Sequence, residues 1–165
     1  MTDLEPGVVF GEDYKTLIKA CKEGKYALPA VNVVGTNSIN AVMEAAAKNK
    51  SDVIIQLSNG GAEFYAGKGF PDSYDAKVLG AVSAARHVHL LAEHYGICVV
   101  LHTDHANKKL VPWVESLIDY GERHYEELGY PLFTSHMVDL SEEELDYNIT
   151  ESERILKRAA RLEMS

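Results

Sequence analysis

The chain has 165 residues, 46% hydrophobic and 25% charged, with 16 Lys and Arg against 25 Asp and Glu for a net charge of −9. This length suits one domain with its own core, the acidic balance argues against a nucleic-acid surface, and no apolar run nears the ~20 residues of a membrane span. The acidic start, Met1-Thr2-Asp3-Leu4-Glu5-Pro6, lacks a signal-peptide core, and the distant Cys21 and Cys98 read as reduced thiols of a cytoplasmic protein. A small anionic substrate stays open, because local backbone amides can hold a phosphate.

Residues 14–23 read as a short leading helix closed by Gly24. Residues 27–34 form an extended apolar run, interrupted by Pro29 and Asn32. A helix follows from about Asn37, capped by Thr36 or Asn37, with Ile39, Val42, Met43 and Ala46 on one stripe. Val53–Leu57 is a β-branched strand, followed by the Gly-rich stretch 58–69, read as a loop, and a long helix over 75–95. Residues 97–102 form the next strand, apolar at every position from Ile97 to Leu101, as suits a strand covered on both faces. Pro112 opens a helix to about Leu128, and residues 131–138 are a further strand ending at Asp139. The last helix is expected to open with a capping box at Ser141-Glu142-Glu143-Glu144 and to carry Leu145, Ile149 and Leu156 inward. Four β-then-α units in succession predict a right-handed parallel α/β fold. Periodicity alone fits a small open sheet as well as half of an eight-unit barrel, which typically needs about 250 residues.

In such folds chemistry collects where the strands end. Leu101-His102-Thr103-Asp104-His105 places a carboxylate next to an imidazole there, a proton-transfer group beside a metal-ligand type. In a continuing strand Asp104 and His105 would face opposite ways, so the backbone is expected to turn at this point. A loop histidine and a capping aspartate fit the same residues. Of the seven histidines, His105 is the best ligand candidate, with Asp139 at the matching edge of the next strand. His87 and His89 fall on opposed helix faces, His94 and His124 near helix ends, and His136 reads as a core histidine. The pattern of His87 and His89 followed by His102 to His105 does not make a metallo-hydrolase signature, because its parts lie on different elements. Ser58 and the glycines after it suit a phosphate cradle or a plain turn, and the spacing is not that of a P-loop. Trp113, Leu117 and Tyr120 follow helical spacing and read as core, and Lys108 and Lys109 as solvated charges near the rim.

Five blocks together resemble the N-terminal half of a class II fructose-bisphosphate aldolase: Ala27-Leu28-Pro29-Ala30-Val31-Asn32-Val33-Val34-Gly35-Thr36, Gln56-Leu57-Ser58-Asn59-Gly60-Gly61, Ala92-Glu93-His94-Tyr95-Gly96, Leu101-His102-Thr103-Asp104-His105 and Ser135-His136-Met137-Val138-Asp139-Leu140-Ser141. The resemblance, not the periodicity, implies a TIM (β/α)8 barrel, with residues 1–165 as the N-terminal half of one barrel domain. It implies a zinc-dependent, reversible cleavage of fructose 1,6-bisphosphate to dihydroxyacetone phosphate and glyceraldehyde 3-phosphate, as in glycolysis and gluconeogenesis. In that family zinc polarises the ketose carbonyl and an acidic residue moves the proton of the C4 hydroxyl. Carried over by position, Asp104 is that acid/base, His105 a ligand of the catalytic zinc, and Asp139 a ligand of a second divalent metal. Ser58 is the hydroxyl on the substrate phosphate, assisted by Asn32. The family also implies a homodimer. The alternatives are a tagatose-bisphosphate aldolase of the same class and a non-catalytic half-barrel needing its other half. The other metal histidines of the family fall beyond these blocks. Zinc catalysis ordinarily uses three protein ligands, so the chain alone is expected to be inactive.

Overall fold

A computed structural model describes residues 4–165, and Met1 to Asp3 of the acidic start lie outside the described residues. In chain order it comprises β1 (Gly7–Val8), α1 (Gly11–Gly24), β2 (Ala30–Asn32), α2 (Thr36–Asn49), β3 (Val53–Leu57), α3 (Asn59–Ala66), α4 (Ser73–Tyr95), β4 (Cys98–Ala106), α5 (Val111–Leu128), β5 (Ser135–Val138) and α6 (Leu145–Ala159). The strands form a five-stranded sheet in which every pairing is parallel. From β2 to β5 each strand pairs with its successor in sequence. The order never reverses, unlike the doubly wound sheets that switch direction at their centre. This is the winding of a β/α barrel, as expected.

The short β1 escaped sequence reading because two residues carry no periodicity. It pairs with Cys98 and Val99 along the same edge of β4 that β5 takes higher up. Thr134 closes the seam between them: Leu101 N–H donates to its hydroxyl, which donates in turn to the Val9 carbonyl. Buried Asp52 accepts the Cys98 N–H and so anchors the start of β4 to the entry of β3.

Alternation along β4 sorts the core into two clusters. Val99 and Leu101 join Val53, Ile55 and Leu57 in the large cluster under the helices, which includes Trp113, Leu117 and Ile118. Cys98 and Val100 join Val9 and Leu17 in a smaller one on the other face, where α1 closes the N-terminal ends of the strands. That double cover explains the unbroken apolar run. Cys21 and Cys98 are both buried and not joined in a disulfide.

Several expected boundaries move. Most of the Gly-rich stretch is helix: Ser58 caps α3 by accepting the Gly61 N–H at 3.0 Å. The glycines serve close packing as much as backbone freedom. A Cβ on Gly80 of α4 would overlap the Ala62 carbonyl of α3, and one on Gly61 would meet the Val33 carbonyl at 3.1 Å. In α2 the cap is Gly35, not Thr36 or Asn37, and the Ser38 hydroxyl accepts the Val34 and Gly35 N–H groups. The last helix starts only at Leu145, because Ser141 turns back onto Asp139 instead of capping it. Leu145, Ile149 and Leu156 are 71%, 50% and 55% exposed, and Ile155 and Ala159 point inward in their place. His124, near the end of α5 as read from the sequence, is buried against Tyr130 and His89.

Desolvation pushes the imidazole of His89 down to about 4 and that of His136 to about 3, from an ordinary 6.5. In the unfolded chain both rings take up protons near the ordinary value, while the fold keeps them neutral. Their contribution is therefore intact above that pH and is lost as pH falls from about 6.5 toward 4, at up to ~1.4 kcal/mol per pH unit for each ring. Urea unfolding across this range is expected to show that fall, and His89→Gln to make it shallower by about one ring's share.

Candidate active site

At the C-terminal ends of the strands the register builds a row of polar residues. Asn32 is level with Gln56, Gln56 with His102, and His102 with Ser135, one residue from each of β2 to β5. His102 Nδ1 pairs with Ser135 Oγ at 2.8 Å. Burial holds the His102 imidazole below its ordinary range, and the nearby Asp104 charge opposes that shift.

Asp104 lies two residues beyond His102 and takes the amides of the row. Asn32 Nδ2 donates to Oδ2 at 2.8 Å and Gln56 Nε2 to Oδ1 at 3.1 Å. The bond from Asn32 reaches past β3 from β2 to β4. Asn32, read as an aid to Ser58, thus gives its amide to Asp104. Gln56 sat inside one of the quoted blocks without being singled out. Only the register reveals that it faces the carboxylate.

The backbone does not turn after His102. β4 runs on to Ala106, and an irregularity in its pairing with β5, between Thr103 and Ala106, turns both side chains to one rim. His105 Nε2 comes within 4.0 Å of Asp104 Oδ1. Its Nδ1 lies 2.9 Å from Asp139 Oδ2. The other Asp139 oxygen accepts the Ser141 hydroxyl at 2.6 Å and the Ser141 N–H at 3.2 Å. The Ser141 hydroxyl, then His105, hold the Asp139 carboxyl down at about 2, and the bond to Asp139 raises the His105 imidazole.

A paired Nδ1 with Nε2 left open is the arrangement of a metal-binding imidazole oriented by a carboxylate. The residues present fit part of a metal site and do not complete one. Among the described residues no group of three or more His, Cys, Asp and Glu is placed to hold an ion. Ser58 stands apart from this cluster, at the N-terminus of α3. An open cavity of about 370 Å³ adjoins His105 and Asp139 and is lined also by Lys108 and Ser141. Lys108 is not simply solvated: it pairs with Glu143 and lies over the Tyr147 ring. The larger cavity, about 510 Å³ around Phe10 and Glu163, contains none of these side chains.

Sequentially wound parallel strands with a carboxylate–imidazole cluster at their C-terminal ends are the arrangement of the β/α-barrel class. The family of class II fructose-bisphosphate aldolases matches residues 12–165, and the chain belongs to it. It is 53% identical to fructose-bisphosphate aldolase class 2 of Escherichia coli strain K12 over 164 residues, covering 98% of this chain and 46% of that protein. Identity to the fructose-bisphosphate aldolase of Edwardsiella ictaluri is also 53%, with the same coverage. The crystal structure of fructose-bisphosphate aldolase from Campylobacter jejuni superposes with a TM-score of 0.94 at 50% identity, over 98% of this chain and 46% of that one. The chain thus spans about half the length of the relatives it matches.

Asp139→Ala removes the acceptor that fixes the His105 ring. Nitrogen NMR of the imidazole is expected to show one dominant tautomer in the parent, with the proton on Nδ1, and a mixture in the variant. A single tautomer in both would mean that Asp139 does not orient the ring.

Proposed function

We propose that residues 1–165 form the N-terminal half of a single class II aldolase barrel domain and carry one side of its active site. The reaction is the reversible cleavage of fructose 1,6-bisphosphate to dihydroxyacetone phosphate and glyceraldehyde 3-phosphate, as in glycolysis and gluconeogenesis. The observation that carries this reading is the Asp104 carboxylate, held by two amides and set 4.0 Å from an open imidazole nitrogen. The relatives are named for fructose bisphosphate, which favours that substrate over its tagatose epimer.

In the cleavage direction Asp104 accepts the proton of the C4 hydroxyl as the C3–C4 bond breaks. The C4 oxygen becomes the aldehyde of one product and the bonding electron pair stays with the ketose fragment. Asn32 and Gln56 keep the carboxylate aimed while it gains and returns that proton. Ser58 binds the glyceraldehyde-phosphate end: its oxygen caps α3, its O–H remains to donate, and a helix N-terminus favours an anion. Class II aldolases depend on a metal in general, and the metal proposed here is zinc. His105 Nε2 is its ligand from this half, and Asp139 serves a second divalent position while orienting His105. When bound, zinc supplies the Lewis acidity that polarises the ketose carbonyl. The remaining ligands come from the other half of the barrel. A cytoplasmic homodimer accords with the family. Among the described residues no helix is long and apolar enough to cross a membrane.

The first test is cleavage of fructose 1,6-bisphosphate with added zinc, with and without chelator, by this chain alone and by a full-length protein containing it. Chelator-sensitive turnover is expected from the full-length protein and none from the chain alone. A full-length protein that does not cleave would overturn the reading. In the full-length protein Asp104→Ala is expected to lower kcat by about 10²–10⁴-fold with zinc retained. Zinc loss in step with activity would make Asp104 structural or a ligand. Ser58→Ala is expected to raise KM about tenfold, the worth of one hydrogen bond to a charged group. An unchanged KM would remove Ser58 from the phosphate.

A further inference from the structure

Adjacent residues of a regular strand face opposite sides of the sheet, so Asp104 and His105 should not meet. The pairing of β4 with β5 explains why they do. His102↔Ser135 and Thr103↔His136 are consecutive partners, and the next pair is Ala106↔Val138. Three steps along β4 match two along β5. One residue is therefore extra on β4, and the resulting β-bulge contains Asp104 and His105. Neither residue has a positive φ, so the bulge needs no glycine.

The bulge also lies where β4 loses a neighbour. β3 pairs with β4 only as far as Leu57↔Thr103. Thr103 is thus the last residue of β4 held by strands on both sides. Its side chain is wholly buried, and by alternation it faces the helix layer and not the site. There its Oγ1 lies 2.8 Å from His136 Nδ1, across the strands at the register position just before the extra residue. His136 Nε2 is buried and has no hydrogen-bond partner among the described residues. The Thr103 hydroxyl is accordingly the ring's polar contact, and its loss would leave the imidazole unpaired. On the far side of the bulge, Asp139 N–H donates to the Ala106 carbonyl at 2.8 Å.

We propose that Thr103 is a positioning residue: its hydroxyl, paired with His136, locks the register of β4 on β5 so that the extra residue stays at Asp104 and His105. A bulge moved by one residue would turn one of the two side chains to the opposite face and part them. Thr103 touches neither substrate nor metal and acts only through the strand. The kinetic part of the test rests on the aldolase reading, and the structural part does not.

The test uses Thr103→Val, which keeps the shape and removes the hydroxyl, Thr103→Ser, which keeps the hydroxyl, His136→Leu, and the double variant T103V/H136L. Amide hydrogen exchange is read across β4 in this chain, and kcat and KM in the full-length protein. Thr103→Val is expected to speed exchange at Asp104, His105 and Ala106 about tenfold while Leu101 keeps its protection. It is expected to lower kcat about tenfold to a hundredfold with KM nearly unchanged, the signature of misplaced groups. Thr103→Ser should restore both readouts. His136→Leu should match Thr103→Val, and the double variant should be no worse than either. Unchanged exchange at the bulge, additive effects in the double variant, or a serine as impaired as the valine would each overturn the proposal. If Thr103→Val fails to fold, Thr103→Ser against His136→Leu gives the same comparison. A full-length protein without cleavage would overturn the aldolase reading alone, and the exchange measurements would still judge the clamp.

Discussion

The two-residue alternation of a β-strand is the constraint on which the rest of this molecule depends. It places Cys98 and Val100 on the face closed by α1, and Val99 and Leu101 beneath the helices. With the register of β3 on β4, it brings Gln56, His102 and Asp104 to one face. Continued without interruption, it would also separate Asp104 from His105. One extra residue in β4 breaks the alternation at the point where the chain leaves its apolar core, and the carboxylates and imidazole of the rim gather there. Bulges beside sites are a general way to re-aim a side chain without ending the strand.

The site is held by shared hydrogen bonds more than by burial. Asp104 accepts two side-chain amides, and Asp139 accepts a hydroxyl, a backbone N–H and His105. These acceptors are carboxylates, whose negative charge strengthens bonds from N–H and O–H donors. His105 itself is exposed, with 67% of its side chain accessible, so its orientation depends on Asp139 and not on packing. Below this rim, Asp52 and Thr134 tie strands together at their edges.

Much of this was legible along the chain. The order of elements, the buried strand at 97–101, the helix opened by Pro112 and the rim residues Ser58, Asp104, His105 and Asp139 all follow from local pattern or from short blocks. The errors have a common physical source. Glycines at 60, 61, 67 and 69 look like a loop when read locally, but Gly61 packs against the Val33 carbonyl and α3 lies close over Gly80. Leu145, Ile149 and Leu156 mark an apolar stripe on α6 that periodicity assigns to the core. In the fold that stripe stands open to solvent, because a helix pattern states which face is apolar and not what lies opposite. Ser141-Glu142-Glu143-Glu144 has the spacing of a capping box, yet its serine serves Asp139.

The sequence by itself determined most of the strands and helices, that they wind in parallel, and which ionisable residues stand at strand ends. Those properties depend on periods of two and 3.6 residues and on the neighbours of each position, all of which are local. Only the tertiary structure decided which residues meet: Asn32 with Asp104 across 72 positions, Gln56 with Asp104 across 48, His105 with Asp139 across 34. Pairing register and the place of the extra residue set these contacts. Both are properties of two strands at once, so neither is written in either strand alone.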